Sequence, residues 1–494
     1  MHNRASRLLM PNDLETSPKI PRRRWPLRYA FLFVAGCVAL PVIVWAVWGW
    51  VESGRLDRAL DALEARNEPL DVAGFDTKPT TGDQREASHL YREAVNLVGD
   101  RSFATAEGAR VSLLIDELCT TPAGAPAQGS SSQALKAFED PYAKALDLMD
   151  RASPLKGVGW ADGDRPPRFV DQIRPITLAR ANVARIARRA CTGDADGAAA
   201  ALLASLRLQR FVNFRSISIP TAHSLQLVLT GGAASPDLLR QIQDEYAATA
   251  GDRTFEELMR RERATWLSYS LPGAYGDPSS GSGNRRITPL EAIATRLSRP
   301  LRDHRIVAEL HEFAEAIEVA KQPWPSTFDA VTAFAKAHPR QRSQSTPSGT
   351  LDMLTRPWGA DLSATLLTSY VNGIAERLAT ARAGVAAVAV ARYSHDHAGV
   401  LPATLQELIP AYLAASLIDP YNGKAFHYLH GPSGYKVYSV GANREDDVGE
   451  WEQHSDLQLS RRGNPLDVGI AARPWPGMGP SDVEGVERTP ARKN

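Results

Sequence analysis

Tyr29–Val51 (YAFLFVAGCVALPVIVWAVWGWV) is an apolar run without one charged side chain. As a helix it spans roughly 30 Å or slightly more, enough to cross a bilayer core. Trp45, Trp48 and Trp50 cluster at one end, and Trp25 and Tyr29 stand at the other, where aromatic rings favour the membrane interfaces. Pro41 can kink such a helix, which a membrane tolerates. Beyond the run the pattern becomes helical. Leu56, Leu60 and Leu63 recur at helical spacing in Leu56–Arg66, and Asp83–Val98 repeats the pattern from an acidic start. In ITLARANVARIARRACTGDADGAAAALLASLRLQRFV, one helix runs to about Cys191, TGDADG turns the chain, and a second helix begins near Ala198. Small residues on the facing sides let the two approach closely. The hairpin resembles a tetratricopeptide unit, but no repeat near 34 residues recurs, so the reading is a generic helical hairpin.

Toward the C-terminus the period changes again. Ala364 to Asp396 carries no Pro and is dense in Ala and Gly, which predicts one long helix that Gly399 ends. LPATLQELIPAYL reads as a short helix with Pro402 at its start. DPYNG, Asp419–Gly423, is a turn. KAFHYLH and GYKVYSVG then alternate as two strands joined by GPSG, and NREDDVGEWEQHSD follows as an acidic loop. Thr121–Ser132, Gly273–Arg286 and His338–Thr350 are rich in Gly, Pro and Ser and read as exposed loops.

Seven Lys or Arg precede the apolar run, against Asp13 and Glu15, and the flank after it is balanced. That asymmetry puts the N-terminus in the cytoplasm and the bulk outside. A cleaved signal peptide would have a shorter core and a small-residue site, which WGWVESG lacks. VAGC, Val34–Cys37, matches a lipobox, yet apolar rather than polar residues follow the cysteine. An uncleaved span is the better reading. The whole chain of 494 residues has net charge +1, from 57 basic and 56 acidic residues, which argues against nucleic acid as the main partner. Three cysteines exclude a disulfide framework; Cys119 and Cys191 either form one bridge or remain buried thiols.

The order of helix, Asp-Pro turn, Tyr-rich hairpin, Tyr-Ser-x-Gly-Ala and acidic loop resembles the globular domain of the major pseudopilins of type II secretion. Asp419, Pro420, Gly423, Tyr428, Tyr435, Tyr438, Ser439, Gly441 and Ala442 carry the resemblance. The chain departs from that family at its N-terminus. RYAFLFVAGC has neither the Gly-Phe cleavage site nor the following Glu, so assembly as a pilus subunit is not expected. The resemblance implies a calcium site in the acidic loop, with Asp446, Asp447, Glu450 and Asp456 as ligands. Arg444 and Trp451 stand where that family has Gly or small residues. An alternative chemistry is a zinc enzyme. Five of eleven histidines, His395, His397, His427, His430 and His454, fall near the same end, but His427 and His430 on one strand point to opposite faces.

The expected fold is mainly α: a basic cytoplasmic tail (1–28), a transmembrane helix (29–51), an all-α extracytoplasmic helical-hairpin domain (52–340), a linker (341–360), a small α+β pseudopilin-like module (361–463) and a disordered tail (464–494). No Gly-x-Ser-x-Gly, His-Glu-x-x-His or phosphate loop is present, and no catalytic residue is assigned. The expected function is a non-enzymatic envelope scaffold of the bacterial inner membrane. It would bind other envelope proteins, possess a membrane contact through its N-terminal helix, and have a link to secretion or envelope assembly.

Overall fold

The computed structural model describes residues 27–71, 81–98, 110–111, 113–115, 129–155, 173–212, 221–251, 254–271, 296–337, 364–431, 434–449 and 467–472. It is mainly helical, with one small sheet. The helices are α1 (Leu27–Glu64), α2 (Gly82–Val98), α3 (Gly129–Glu139), α4 (Ala143–Ala152), α5 (Ile173–Cys191), α6 (Ala195–Val212), α7 (Thr221–Thr230), α8 (Pro236–Thr249), α9 (Thr254–Ser270), α10 (Arg299–Ala320), α11 (Ser326–Ala337) and α12 (Ala364–Asp396). The strands β1 (His427–Gly431), β2 (Gly434–Ser439) and β3 (Val468–Ala472) form an antiparallel sheet in the order β1-β2-β3.

The apolar run and the Leu56–Leu63 segment are one helix of 38 residues, not two. Its first part is apolar and exposed, and is long enough to cross a membrane. Its last part packs beside α10. Gly54 does not break it, because Leu56 is buried in a core and Leu60 and Leu63 pack against that core. Burial of a Leu, at about 1.5–3 kcal/mol, outweighs the helix cost of one Gly, about 1 kcal/mol. Asn67, at φ 54°, ends the helix, and the Glu68 N–H donates back to the Leu63 carbonyl at 2.9 Å.

Two buried clusters organise the chain. The first joins α2–α8 to the second half of α12 and to the sheet. The second joins the end of α1, α9, α10, α11 and the first half of α12, with Tyr421 and Val440 of the C-terminal unit. Helix α12 therefore belongs to both. Ala381, Ala383 and Val385 through Val390 are all buried, so this stretch is covered on every side. The described part of 361–463 consequently shares its core with the preceding helices rather than closing on itself: Leu378 lies in the second cluster, Val385 and Val388 in the first.

Gly384 shows how closely α12 is packed. A Cβ there would stand 2.9–3.0 Å from the Tyr246 ring, whose hydroxyl donates to the Thr221 carbonyl at 2.9 Å. Gly384→Ala improves helix propensity by about 1 kcal/mol but overpacks a fixed ring, at about 1–3 kcal/mol. Net destabilisation of about 1 kcal/mol is expected in urea titration of the full chain; a gain in stability would mean the ring yields.

A second difference concerns the expected disordered tail at 464–494. Residues 468–472 are β3, paired with β2 from Ser439↔Val468 to Tyr435↔Ala472. Ile470, Ala471 and Ala472 are buried, and β3 lies against α7 and α12. VGIAA is short, but a strand that covers the central β2 removes apolar surface from water and satisfies its backbone. Apart from 467–472, residues 464–494 lie outside the described residues, as do the linker 341–360 and most of the basic tail 1–28.

Candidate functional site

The site is built where the hairpin, the acidic loop and β3 meet. Its base is the Asp-Pro turn. The Gly423 N–H donates to the Asp419 carbonyl at 2.9 Å, and the Asp419 N–H donates to the Lys424 carbonyl at 2.7 Å. The Asp419 side chain is wholly buried. Its Oδ1 accepts from the Tyr421 N–H (2.8 Å) and the Ser439 hydroxyl (2.9 Å), and its Oδ2 accepts from the Val440 N–H (3.0 Å). This carboxylate thereby ties the turn to the end of β2.

The tyrosines of the hairpin are ties of the same kind. Tyr435 donates to the Ala387 carbonyl on α12 at 2.7 Å, Tyr428 to the Pro402 carbonyl at 3.0 Å, and Tyr438 to Asp446 Oδ1 at 3.0 Å. Burial pushes the Tyr428, Tyr435 and Tyr438 hydroxyls above the ordinary tyrosine range, so all three remain donors. The residues on which the pseudopilin resemblance rests thus hold the sheet, the turn and the loop together.

The acidic loop is ordered by its own side chains. Asn443 accepts from the Glu445 N–H and donates to Asp447 Oδ2 at 2.8 Å. Asp446 Oδ1 also accepts from the Val448 N–H at 2.9 Å, and its Oδ2 lies 3.3 Å from His427 Nδ1. Arg444 and Val448 both have φ 60°, a conformation that costs a branched residue such as Val in particular. Arg444 is held by an ion pair with Asp329 of α11 and by stacking over Phe328 at 5.3 Å. The position that departs from the pseudopilin pattern is here the tether between the loop and the helical body.

Behind the loop stands Asp467, which sequence reasoning missed. It is 2% exposed. Its Oδ2 accepts from the Gly449 N–H at 2.8 Å and the Asp447 N–H also faces the carboxylate, while Oδ1 is buried without a full hydrogen bond. Burial, with the Asp447 and Asp446 charges adding to it, raises the Asp467 carboxyl from 3.8 to about 7. Lys436 Nζ donates to the Gly449 carbonyl at 3.1 Å and brings a cation to the same rim.

Of the four carboxylates expected to bind calcium, Asp446 and Asp447 are in this loop; Glu450 and Asp456 lie outside the described residues. The donor chemistry fits a hard cation: carboxylate and carbonyl oxygens, with one orphaned buried carboxylate oxygen behind them. The arrangement is not a finished ligand set. Among the described residues, no group of three or more His, Cys, Asp or Glu is placed to hold a metal ion. Asp446, Asp447 and Asp467 each turn to a hydrogen bond of their own.

Among the described residues the histidines do not gather. His395 lies 3.4 Å from Asp396, and His397 stacks on Tyr393 with ring centres 3.9 Å apart. His427 stacks on Tyr438 and His430 on Tyr428. His454 lies outside the described residues, as does Cys119; Cys191 is a free, half-buried thiol. A pocket of about 290 Å³ between Leu405–Leu408 and β1 is lined by Leu413, Phe426 and Tyr428, with Thr404, Gln406 and Ser416 among its polar groups. No family model matches the chain, and neither does any curated protein or solved structure.

Proposed function

We propose that this chain is a non-enzymatic, membrane-anchored envelope scaffold. The N-terminus lies in the cytoplasm of a bacterial cell, one helix crosses the inner membrane, and the helical body presents the α+β unit to other envelope proteins. In this reading the unit is a reused pseudopilin-like module, and its acidic loop takes calcium through Asp446 and Asp447, with Asp467 behind them. The observation that supports it best is α1. That helix runs unbroken from an exposed apolar stretch into the buried Leu56 of the second core. Such a helix fixes the body rigidly to its anchor, which suits a presenting role. Cleavage after the apolar stretch would remove Trp48 and Gly49, and with them the contacts those residues make with His304 and Pro300 of α10.

Orientation and partners have separate tests. A reporter active only outside the cytoplasm, fused after residue 340, is expected to work, because the basic flank retains the N-terminus inside. Activity solely from a cytoplasmic reporter at that point reverses the orientation. Mild-detergent co-purification of the full chain, read by mass spectrometry, is expected to recover envelope proteins. Asp419→Ala, which loosens the α+β unit, is expected to lose them. Recovery unchanged in that variant would move the partner surface to the helical body.

A further inference from the structure

The α1–α10 junction carries a patch that the scaffold role does not explain. Gly49 is so close to Pro300 that a Cβ there would meet the ring at 3.0 Å. Further along, the Ser53 hydroxyl donates to Asp303 Oδ2 at 2.8 Å, and Glu52 Oε2 lies 3.3 Å from His304 Nδ1. The pairs advance together, so α10 runs parallel to α1, and its first turn lies level with the last apolar turn of the span. Residues just before Pro300 therefore stand where the span leaves the hydrocarbon.

The composition of this edge is amphipathic. Among the described residues, Leu297 is 59% exposed and Trp50 is 78% exposed. At the same end stand Arg296, Arg299 and His304 on the α10 side and Arg55 on the other flank of α1 from Trp50, all with exposed side chains. The two carboxylates paired with Arg55 and Arg299 face inward: Glu52 and Asp303 are almost wholly buried, while Asp57, farther from the span, is exposed next to Arg58. Glu52 accepts from Trp48 Nε1 at 3.2 Å and from Arg55 at 3.0 Å, and Asp303 faces Arg299 at 3.4 Å. Nearest the span the exposed charges are those of Arg296, Arg299 and Arg55, and this edge adjoins the exposed apolar face of α1.

We propose that this edge, Arg296 and Leu297 through Arg299 with Arg55 and Trp50, is a lipid contact that seats the body on anionic phospholipid headgroups. Leu297 and Trp50 enter the interfacial layer, and the guanidinium groups meet phosphate oxygens. Guanidinium pairs with phosphate in a fork, and indole rings favour the headgroup level. The proposal rests on the membrane reading of α1 and adds a lipid class to it. A body held at α1 alone could swing about the exit point; one also held at α10 stands at a fixed angle to the membrane.

The test uses the full chain in nanodiscs of phosphatidylcholine alone and of phosphatidylcholine with phosphatidylglycerol at 3:1. Amide hydrogen exchange is read by mass spectrometry over 296–302 and 31–50. The first amides of a helix have no intrahelical acceptor, so they report shielding from outside. Exchange over 296–302 is expected to slow about fivefold or more in the anionic discs, since each basic residue near such a surface contributes roughly that factor. The variant Arg296→Gln should weaken this lipid dependence while α1 stays protected and the thermal midpoint, with the Arg299–Asp303 pair intact, is retained. Equal exchange over 296–302 in both discs, with α1 protected, overturns the lipid contact alone. An unprotected α1 in both discs overturns the membrane reading together with it.

Discussion

Asp419→Ala is expected to destabilise the full chain by about 3–5 kcal/mol in urea titration, the largest effect of any single substitution considered. The carboxylate is wholly buried and accepts from the Tyr421 N–H, the Ser439 hydroxyl and the Val440 N–H. The Ser439 hydroxyl can rotate toward another acceptor, but the two backbone donors cannot. A buried donor left without a partner costs about 1–3 kcal/mol, and the vacated side-chain volume adds a cavity cost. Asp419→Asn separates charge from shape. Its amide oxygen can serve Tyr421 and Ser439, but its NH₂ group then faces the Val440 N–H, donor against donor. A smaller loss of about 2 kcal/mol is expected. A loss below about 1 kcal/mol in Asp419→Ala would show that water reaches the turn and that Asp419 does not hold the hairpin.

The elements most visible in the sequence are those whose stabilisation is local. The span is legible because Tyr29–Val51 lacks any charge, and the hairpin because Tyr435 and Val437 alternate with polar neighbours on β2. The long helix Ala364–Asp396 is legible from its lack of Pro and its Gly399 stop, where φ is 90°. Its role is not. Ala and Gly on every side give no apolar stripe, so periodicity says nothing about which neighbours cover it. Two cores and the Tyr246 ring against Gly384 decide that. The continuity of α1 was hidden for a similar reason. Glu52, Ser53, Gly54 and Arg55 read as an exit from the membrane helix, yet Glu52 is buried by Trp48 and by His304, a residue remote in sequence.

The candidate site divides along the same line. Asp446 and Asp447 stand out as neighbours in an acidic run. Asp467 does not, because its chain neighbours read as tail and its burial depends on β3 joining β2. One signal was available: Asp467 directly precedes VGIAA, a short apolar run able to form a strand. The histidines fail in the opposite sense. They are close in sequence, but His395 and His397 end α12 while His427 and His430 lie on β1. Nearness along the chain does not by itself make a shared centre, and the alternative zinc reading has none among the described residues.

Without calcium, stability is expected to fall as pH rises from about 4 to about 7, and Asp467 is the cause. Its carboxyl titrates near 3.8 ordinarily and at about 7 in the fold. Below pH 4 both folded and unfolded chains hold the proton, and the group contributes nothing. Between 4 and 7 the unfolded chain ionises first and gains relative to the fold. Above 7 both are ionised and the loss stays constant. The shift corresponds to at most about 4 kcal/mol; relaxation of the loop around Gly449 reduces this to the order of 1–3 kcal/mol. Asp467→Asn should therefore stabilise the calcium-free chain at pH 8, because an amide oxygen retains the Gly449 N–H bond with no charge to bury. Calcium inverts these signs if it binds here. A cation beside Asp446, Asp447 and Asp467 favours the carboxylates, so millimolar calcium should raise the melting temperature at pH 8 and do little at pH 4. Asp447→Ala and Asp467→Asn should each remove that rise. A calcium shift of equal size in wild type and both variants places the ion elsewhere. No shift in wild type leaves Asp467 as a buried proton carrier behind an acidic surface loop.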